Sequence, residues 1–351
     1  MGKNSIIKIS IIMPVYNSGN FLSTAVNSIL SHPSKDIELI LVDDGSTDGS
    51  SERCDEYAEK DSRVTVIHQK NSGICNARNA AIKIAKGEYI GFCDHDDEFA
   101  SETWVKCIDA IEKYHHPDIV KFGKDYVFVN AKGETFRTIH MTTNDSFYEK
   151  EYIIEHYLEL RQQNLFRFVW DGIYKKEIII NNQVFFDPYF THGGEDHDFC
   201  NELSKYVETV VTFSGIYYYH YLRDNFSTSS KRIANAGLLH YKVEGERLYE
   251  TLKTIGYDFN KHRAIYLNQI FESSVLTIIR YHLKARSSDK YIINLLNEIA
   301  DSFYIKKEKD PHNIYSLLKQ SKKVGLFSYL FFSKKYYFLL FIIKLRYKFL
   351  K

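Results

Sequence analysis

Ile37-Glu38-Leu39-Ile40-Leu41-Val42-Asp43-Asp44-Gly45-Ser46-Thr47-Asp48-Gly49-Ser50 is the stretch whose reading decides the fold. A short apolar run closes abruptly on two carboxylates, hydroxyls and glycines, the pattern of a buried strand that ends in a polar loop. The flanks repeat it. Residues 7–13 form a β-branched run that ends in Pro14-Val15-Tyr16-Asn17, followed by a helical pattern over residues 21–30. A polar helix carrying Tyr57 and Ala58, a third strand at 64–68, a helix at 77–85 and a fourth strand at 89–93 follow, the last running into Asp94-His95-Asp96-Asp97. Strands alternating with helices of this length imply βαβ units and a parallel sheet. Ligands of such sheets bind beyond the carboxyl ends of the strands. Three of the four strand ends carry conspicuous polar residues, and loops sharing one rim point to one site.

Residues 102–114 read as a helix, 119–129 as a strand, 131–147 as a polar loop or hairpin, and 149–159 as a helix. A turn region at 165–190 contains Trp170 and Tyr174 and leads to Gly193-Gly194-Glu195-Asp196. From about residue 235 long amphipathic segments take over, at 236–254 and 267–283. The expected division is a catalytic, nucleotide-binding domain at 1–230, a helical extension at 231–320 and a basic, aromatic tail at 321–351.

The 351 residues are 44% apolar, enough for a sizeable core, and 46 Lys and Arg against 45 Asp and Glu provide no global field to attract nucleic acid. The five cysteines are widely spaced without a C-x-x-C pair, which argues against a disulfide framework or zinc site and for buried thiols in a reducing compartment. The start of the chain reads as a strand rather than a signal peptide, and no stretch approaches the ~20 apolar residues that cross a bilayer. The expected location is the cytoplasm. In the tail, lysines flank the apolar runs 326–332 and 336–343, a pattern suited to an anionic membrane surface and hence to a peripheral position on its cytoplasmic face. Docking on the protein's own core and homodimer contact are the alternatives.

The acidic cluster comes first among the candidate site residues. Three carboxylates in four residues repel one another, and a hard cation such as Mn²⁺ or Mg²⁺ relieves that repulsion while sharing phosphate oxygens. A helix cap explains the cluster equally well when it is taken alone. Asp43 and Asp44, at a strand end, are placed to accept hydrogen bonds from a ligand, although Ser46 or Asp48 also suits a helix cap. Tyr16 offers a flat face to a base, or else ordinary packing. Arg78-Asn79 lies near a helix start, where Arg suits phosphate, although a surface salt bridge explains it too. Glu195-Asp196, on a glycine-led loop, suits a general base as well as a helix cap.

Taken in order, Pro14-Val15-Tyr16-Asn17, Val42-Asp43-Asp44-Gly45-Ser46-Thr47-Asp48, Ala77-Arg78-Asn79, Gly87-Glu88-Tyr89-Ile90 with Asp94-His95-Asp96-Asp97, and Gly194-Glu195-Asp196 resemble the motifs of family 2 glycosyltransferases over roughly residues 7–230. The resemblance implies a GT-A fold, a Rossmann-like, mostly parallel α/β sheet flanked by helices. It also implies an inverting enzyme that uses a divalent metal and a nucleotide-sugar donor, commonly a UDP-sugar. By the same resemblance Tyr16 and Asp44 hold the base, Pro14, Asn17, Asp43, Arg78, Asn79, Asp94 and His95 also belong to the donor site, and Asp94 contacts the ribose. Asp96 holds the metal, with Asp94 and His220 as further candidates, and Asp196 is the base beside Glu195. Trp170 and Tyr174 fall in an aromatic segment near the acceptor, and Tyr219-His220-Tyr221-Leu222-Arg223 with Ser227 and Ser229 resembles a segment that closes near the diphosphate. His95 departs from the family's small residue, and His220 suits metal, phosphate or packing. The implied acceptor is a glycan or lipid-linked hydroxyl in surface-polysaccharide (capsule) assembly.

Two rivals were weighed. A nucleotidyltransferase needs an early Gly-rich, basic phosphate loop, and Pro14-Val15-Tyr16-Asn17 provides none. A non-catalytic relative that binds glycan or membrane need not retain Asp44, Asp94, Asp96 and Asp196 together.

Overall fold

A computed structural model describes residues 7–190, 193–223, 237–302 and 322–348. They form two compact units, one comprising residues 1–153 and 164–231 and the other 154–163 and 232–351.

The first unit is built on a ten-stranded sheet. Strands β1 (Ile9–Val15), β2 (Ile37–Asp43), β3 (Val64–His68) and β4 (Tyr89–Phe92) lie side by side in the order β3-β2-β1-β4, all parallel. Every residue of β1, β2 and β4 is buried. That is why these segments read as unbroken apolar runs: a parallel strand is covered on both faces. On one face Ile9, Ile11, Met13 and Val15 pack with Leu22, Ala25, Val26 and Ile29 of α1 (Phe21–Leu30) and with Trp104 and Cys107 of α4 (Thr103–Lys113). Helix α2 (Ser50–Lys60) contacts β2 and β3, and α3 (Ile74–Ile84) contacts β1 and β2.

Beyond β4 the sheet becomes mixed, in the order β4-β9-β6-β10-β5. Strand β5 (Glu98–Phe99) pairs with β10 (Thr209–Arg223), which runs parallel to β6 (Ile119–Val129). The polar stretch 131–147 is a hairpin arm: β7 (Thr135–Met141) pairs antiparallel with β6, and β8 (Ser146–Glu149) pairs with β10.

Three boundaries depart from the sequence reading. The turn region at 165–190 contains β9 (Gly172–Lys175), an antiparallel strand between β4 and β6. Its four residues are too few to show a period, yet they complete the middle of the sheet. The helix at 149–159 is two pieces, α5 (Lys150–Glu155) and α6 (Tyr157–Gln162). Helix α3 begins three residues before the expected start at 77, at Ile74.

Helix α7 (Lys176–Asn181) and α8 (Glu195–Ser204) complete the first unit. In the second unit α9 (Gly237–Ile255), α10 (Arg263–Ile270), α11 (Thr277–Lys284) and α12 (Asp289–Ala300) precede the tail helices α13 (Lys322–Phe332) and α14 (Tyr336–Lys348). A π-helical turn at Phe271–Leu276 joins α10 to α11, so the amphipathic run at 267–283 is continuous but locally rewound. No helix among the described residues is long and apolar enough to cross a membrane.

Gly87, just before β4, touches β1 so closely that a Cβ would sit 2.5 Å from the Ser10 nitrogen. Gly87 lies at the end of β4 opposite the acidic rim. Gly87→Ala is therefore expected to lower the free energy of unfolding by about 1–3 kcal/mol, read from the denaturant midpoint at constant slope.

Candidate active site

The expected rim exists. Tyr16 and Asn17 follow β1, Asp43 and Asp44 close β2, and Asp94 to Asp97 follow β4. The roles these residues take in building it differ from the expectation.

Asn17, at a positive φ of 49°, accepts from the Thr47 N–H at 2.8 Å and donates its own N–H to Ser46 Oγ at 3.1 Å. Asp43 accepts from Ser46 N–H at 2.9 Å and faces His68 Nδ1 at 3.1 Å. These hydrogen bonds, working against burial, hold the Asp43 carboxyl below its ordinary value. Through these bonds Asn17 and Asp43, expected to touch a ligand, knit the loops together. Asp44 fixes the approach to α3, accepting from Gln69 Nε2 at 2.7 Å, Ser72 N–H at 2.8 Å and Gly73 N–H at 2.8 Å. Its Oδ2 carries only the Gly73 bond, and a carboxylate oxygen can take two. Pro14 is buried within β1. Tyr16, 48% exposed, presents an open face.

Arg78 is the largest correction. It lies on the inner face of α3 with Cys75, Ala77, Ala81 and Ile82. Its guanidinium is 1% exposed and is held by Asp196 at 2.6 Å, Asp94 at 3.1 Å and Glu195 at 3.4 Å. Phe186 lies against the cation at 4.9 Å and Phe92 at 5.8 Å. So enclosed, Arg78 is neither a phosphate clamp nor a surface ion pair, but a tie between the acidic rim and the start of α8. Asn79 is also taken: it exchanges hydrogen bonds with the Phe186 carbonyl at 2.8 Å and the Phe186 N–H at 2.9 Å.

Glu195 and Asp196 open α8 after Gly194, which adopts φ 90°, a conformation that favours glycine. Burial pushes Glu195 up to about 7, helped by Asp196 and opposed by Arg78. Burial likewise raises Asp196, and Arg78 opposes it.

In the acidic cluster, the Asp97 N–H donates to the Asp94 carbonyl at 3.1 Å, and the resulting turn sends Asp97 inward. There the fully buried carboxylate accepts from Tyr218 OH at 2.8 Å and Tyr221 N–H at 2.8 Å and pairs with His220 Nδ1 at 2.7 Å. Burial opposes charge on His220, but Asp97 carries the ring up to about 9. With Nδ1 held by Asp97, the ring offers Nε2, as a ligand when neutral and as a donor when charged. Asp96 is held by Arg223, whose Nη1 lies 2.6 Å from the Asp96 carbonyl and 3.2 Å from Oδ2. Burial, then Asp97 and Asp94, push the Asp96 carboxyl up to about 7. Burial lowers the pKa of His95, and its Nδ1 has no hydrogen-bond partner among the described residues.

Trp170 and Tyr174 are buried and cannot offer a platform to an acceptor. Trp170 stacks on His220 at 4.9 Å and on Tyr218 at 4.8 Å, and so backs the imidazole. Behind it Asp171 binds Lys121 at 2.5 Å and also Lys124, whose pKa burial pulls down to about 8. Ser227 and Ser229 lie outside the described residues.

Around this rim Asp94, Asp96, Asp97, Glu195 and Asp196 face three cations, Arg78, Arg223 and His220. Carboxylates outnumber cations here, and a divalent cation fits that surplus. Ligand atoms of Asp94, Asp97 and His220 lie within 4.8 Å of one another, a group that could hold a metal ion, although the Asp97 carboxylate already accepts from Tyr218 and Tyr221.

Residues 10–180 match the description "Glycosyl transferase family 2". A glycosyltransferase of Haemophilus influenzae, itself uncharacterized, is 32% identical over 207 residues, 59% of this chain and 75% of that protein. Glycosyltransferase GlyA of Streptococcus pneumoniae is 32% identical over 276 residues, 76% of this chain. EpsJ of Bacillus subtilis, an uncharacterized glycosyltransferase, is 32% identical over 212 residues, 60% of this chain. The chain spans 38% of GlyA and 60% of EpsJ. Among solved structures, residues 1–349 of Staphylococcus aureus TarS in complex with UDP-GlcNAc align with a TM-score of 0.68 at 19% identity, covering 95% of this chain and 89% of that one. The shared architecture is the expected mostly parallel α/β sheet flanked by helices. The chain belongs to family 2 of the glycosyltransferases.

Replacing Arg78 by Gln strands three carboxylates, of which Asp196 is buried and Asp94 and Glu195 partly so. The expected loss is about 3–5 kcal/mol of unfolding free energy, read from the denaturant midpoint at constant slope.

Proposed function

We propose that this chain transfers a sugar from a UDP-sugar to a hydroxyl of a glycan or lipid-linked glycan, with inversion at the anomeric carbon, in surface-polysaccharide assembly. The observation that carries this reading is the Arg78 bridge, which fixes Asp196 and the donor-side Asp94 on one guanidinium, at 2.6 and 3.1 Å. The fold shared with TarS, solved with UDP-GlcNAc and with UDP, supports the nucleotide class. Five free, buried cysteines are in keeping with a cytoplasmic site of action.

In this reading the base stacks on the exposed ring of Tyr16, and the free acceptor site on Asp44 Oδ2 takes its N–H. Asp94 holds the ribose. Asp94 and Asp96 would hold a divalent metal ion (Mn²⁺ or Mg²⁺), which supplies positive charge for the leaving diphosphate. His220, charged and backed by Trp170, offers its remaining N–H to the same oxygens. Arg223, now on Asp96, is a second cation for them. Asp196 accepts the proton of the acceptor hydroxyl as that oxygen bonds to the anomeric carbon and the bond to the diphosphate breaks. Burial raises the affinity of Asp196 for that proton, and Arg78 keeps the carboxylate ionised and aimed beforehand.

Asp196→Asn is expected to lower turnover by about 10²–10⁴-fold while UDP affinity stays within a few-fold of wild type. Turnover near the wild-type level would remove Asp196 from the base role. Tyr16→Ala is expected to weaken UDP by roughly tenfold or more through lost stacking, read by calorimetry. A screen of UDP-sugars for hydrolysis, with Mn²⁺ and with chelator, identifies the donor and tests the metal. Turnover that survives chelation would exclude the metal from the mechanism.

A further inference from the structure

Helix α14 has two apolar faces. Tyr336, Leu339, Leu340 and Ile343 recur at the spacing of one helical face and are buried within their own unit, where α14 packs on α12 and α13. This is the core docking weighed against membrane contact. It leaves the other face uncovered. Tyr337 is 71% exposed, Phe338 54% and Phe341 55%, with Leu345 also exposed, and the Phe338 and Phe341 rings lie 6.4 Å apart, nearly parallel. A surface helix ordinarily turns charged and polar residues outward. Here the outward face is aromatic, and Lys334 and Lys335 stand exposed in the turn just before it.

Charge selects the occupant. Residues 322–348 contain seven Lys and Arg and no Asp or Glu. A second copy of this surface would set cations against cations, which disfavours self-association through it. No acidic residue of the segment marks out a shaped, specific partner. Aromatic rings beside lysines match the boundary between headgroups and acyl chains of an anionic bilayer. We propose that the outward face of α14, with the Lys334-Lys335 turn, rests on an anionic lipid surface and inserts Tyr337, Phe338 and Phe341 at headgroup depth. This contact is independent of the chemistry assigned to the first unit.

The test is flotation of the full chain with phosphatidylcholine vesicles, with and without roughly one third phosphatidylglycerol. The wild type is expected to float with the anionic vesicles and to stay largely behind with the neutral ones. Phe338→Ser with Phe341→Ser should reduce the floated fraction about tenfold or more, and Lys334→Gln with Lys335→Gln should reduce it most at low salt, the difference from wild type shrinking as salt screens the lysines. Both pairs are exposed, so the thermal transition should be unchanged. Failure of the wild type to float, or equal flotation of the aromatic variant, overturns the proposal. So does a fall in solution mass on the same substitutions, which would assign the face to a second copy.

Discussion

A single buried guanidinium sets the geometry of the active site. Arg78 comes from α3, Asp94 from the end of β4, and Glu195 and Asp196 from the start of α8. An unpaired charge at 1% exposure costs several kcal/mol, so Arg78 cannot stay buried unless these segments converge on it. The constraint works in both directions. Five carboxylates cannot crowd one rim unless cations stand among them, and Arg78 is the one that reaches the candidate base. Asn79 adds a second strut from the same helix, its amide locked to the backbone of Phe186. Phe186 in turn stacks on Phe199 of α8 at 4.3 Å. One helix thus positions the candidate base relative to the acidic rim.

A second hub lies on the other side of the rim. Asp97 gathers Tyr218, His220 and Tyr221 of β10, so the last long strand of the sheet is registered on the acidic loop. Asp96 is left facing Arg223, and burial, then Asp97 and Asp94, push its carboxyl up to about 7. These two neighbouring carboxylates thus stand in different settings, Asp97 engaged by three residues of β10 and Asp96 held by one guanidinium.

How much of this was legible depended on the kind of signal. Strands β1 to β4 and their shared rim could be read because parallel strands covered on both faces leave unbroken apolar runs, and each run stops at the polar loop. Strand β9 has only four residues, too few for a period, and it was hidden in a turn region. The inward turn of Asp97 depends on one backbone hydrogen bond to Asp94, which no spacing reveals. The burial of Arg78 did have a signal. Residues 75, 77, 78, 81 and 82 mark the buried stripe of α3, and Arg78 stands on it. Near a helix start its charge suggested phosphate, but its position in the stripe indicated the interior. Trp170 and Tyr174 misled in the opposite sense, because aromatic rings near a sugar site can be platform or wall, and here they are wall.

The account stands or falls on the electrostatic tie between Arg78 and Asp196, which ¹³C NMR titration of the Asp196 carboxyl measures directly, with Asp196→Asn giving the assignment. In the wild type the carboxyl should titrate above the ordinary carboxylate range, since burial outweighs the pull of Arg78. In folded Arg78→Gln protein the midpoint should move higher still, because the cation that favours the ionised form is gone. A midpoint at the ordinary value, or one that does not respond to loss of the guanidinium, would contradict it.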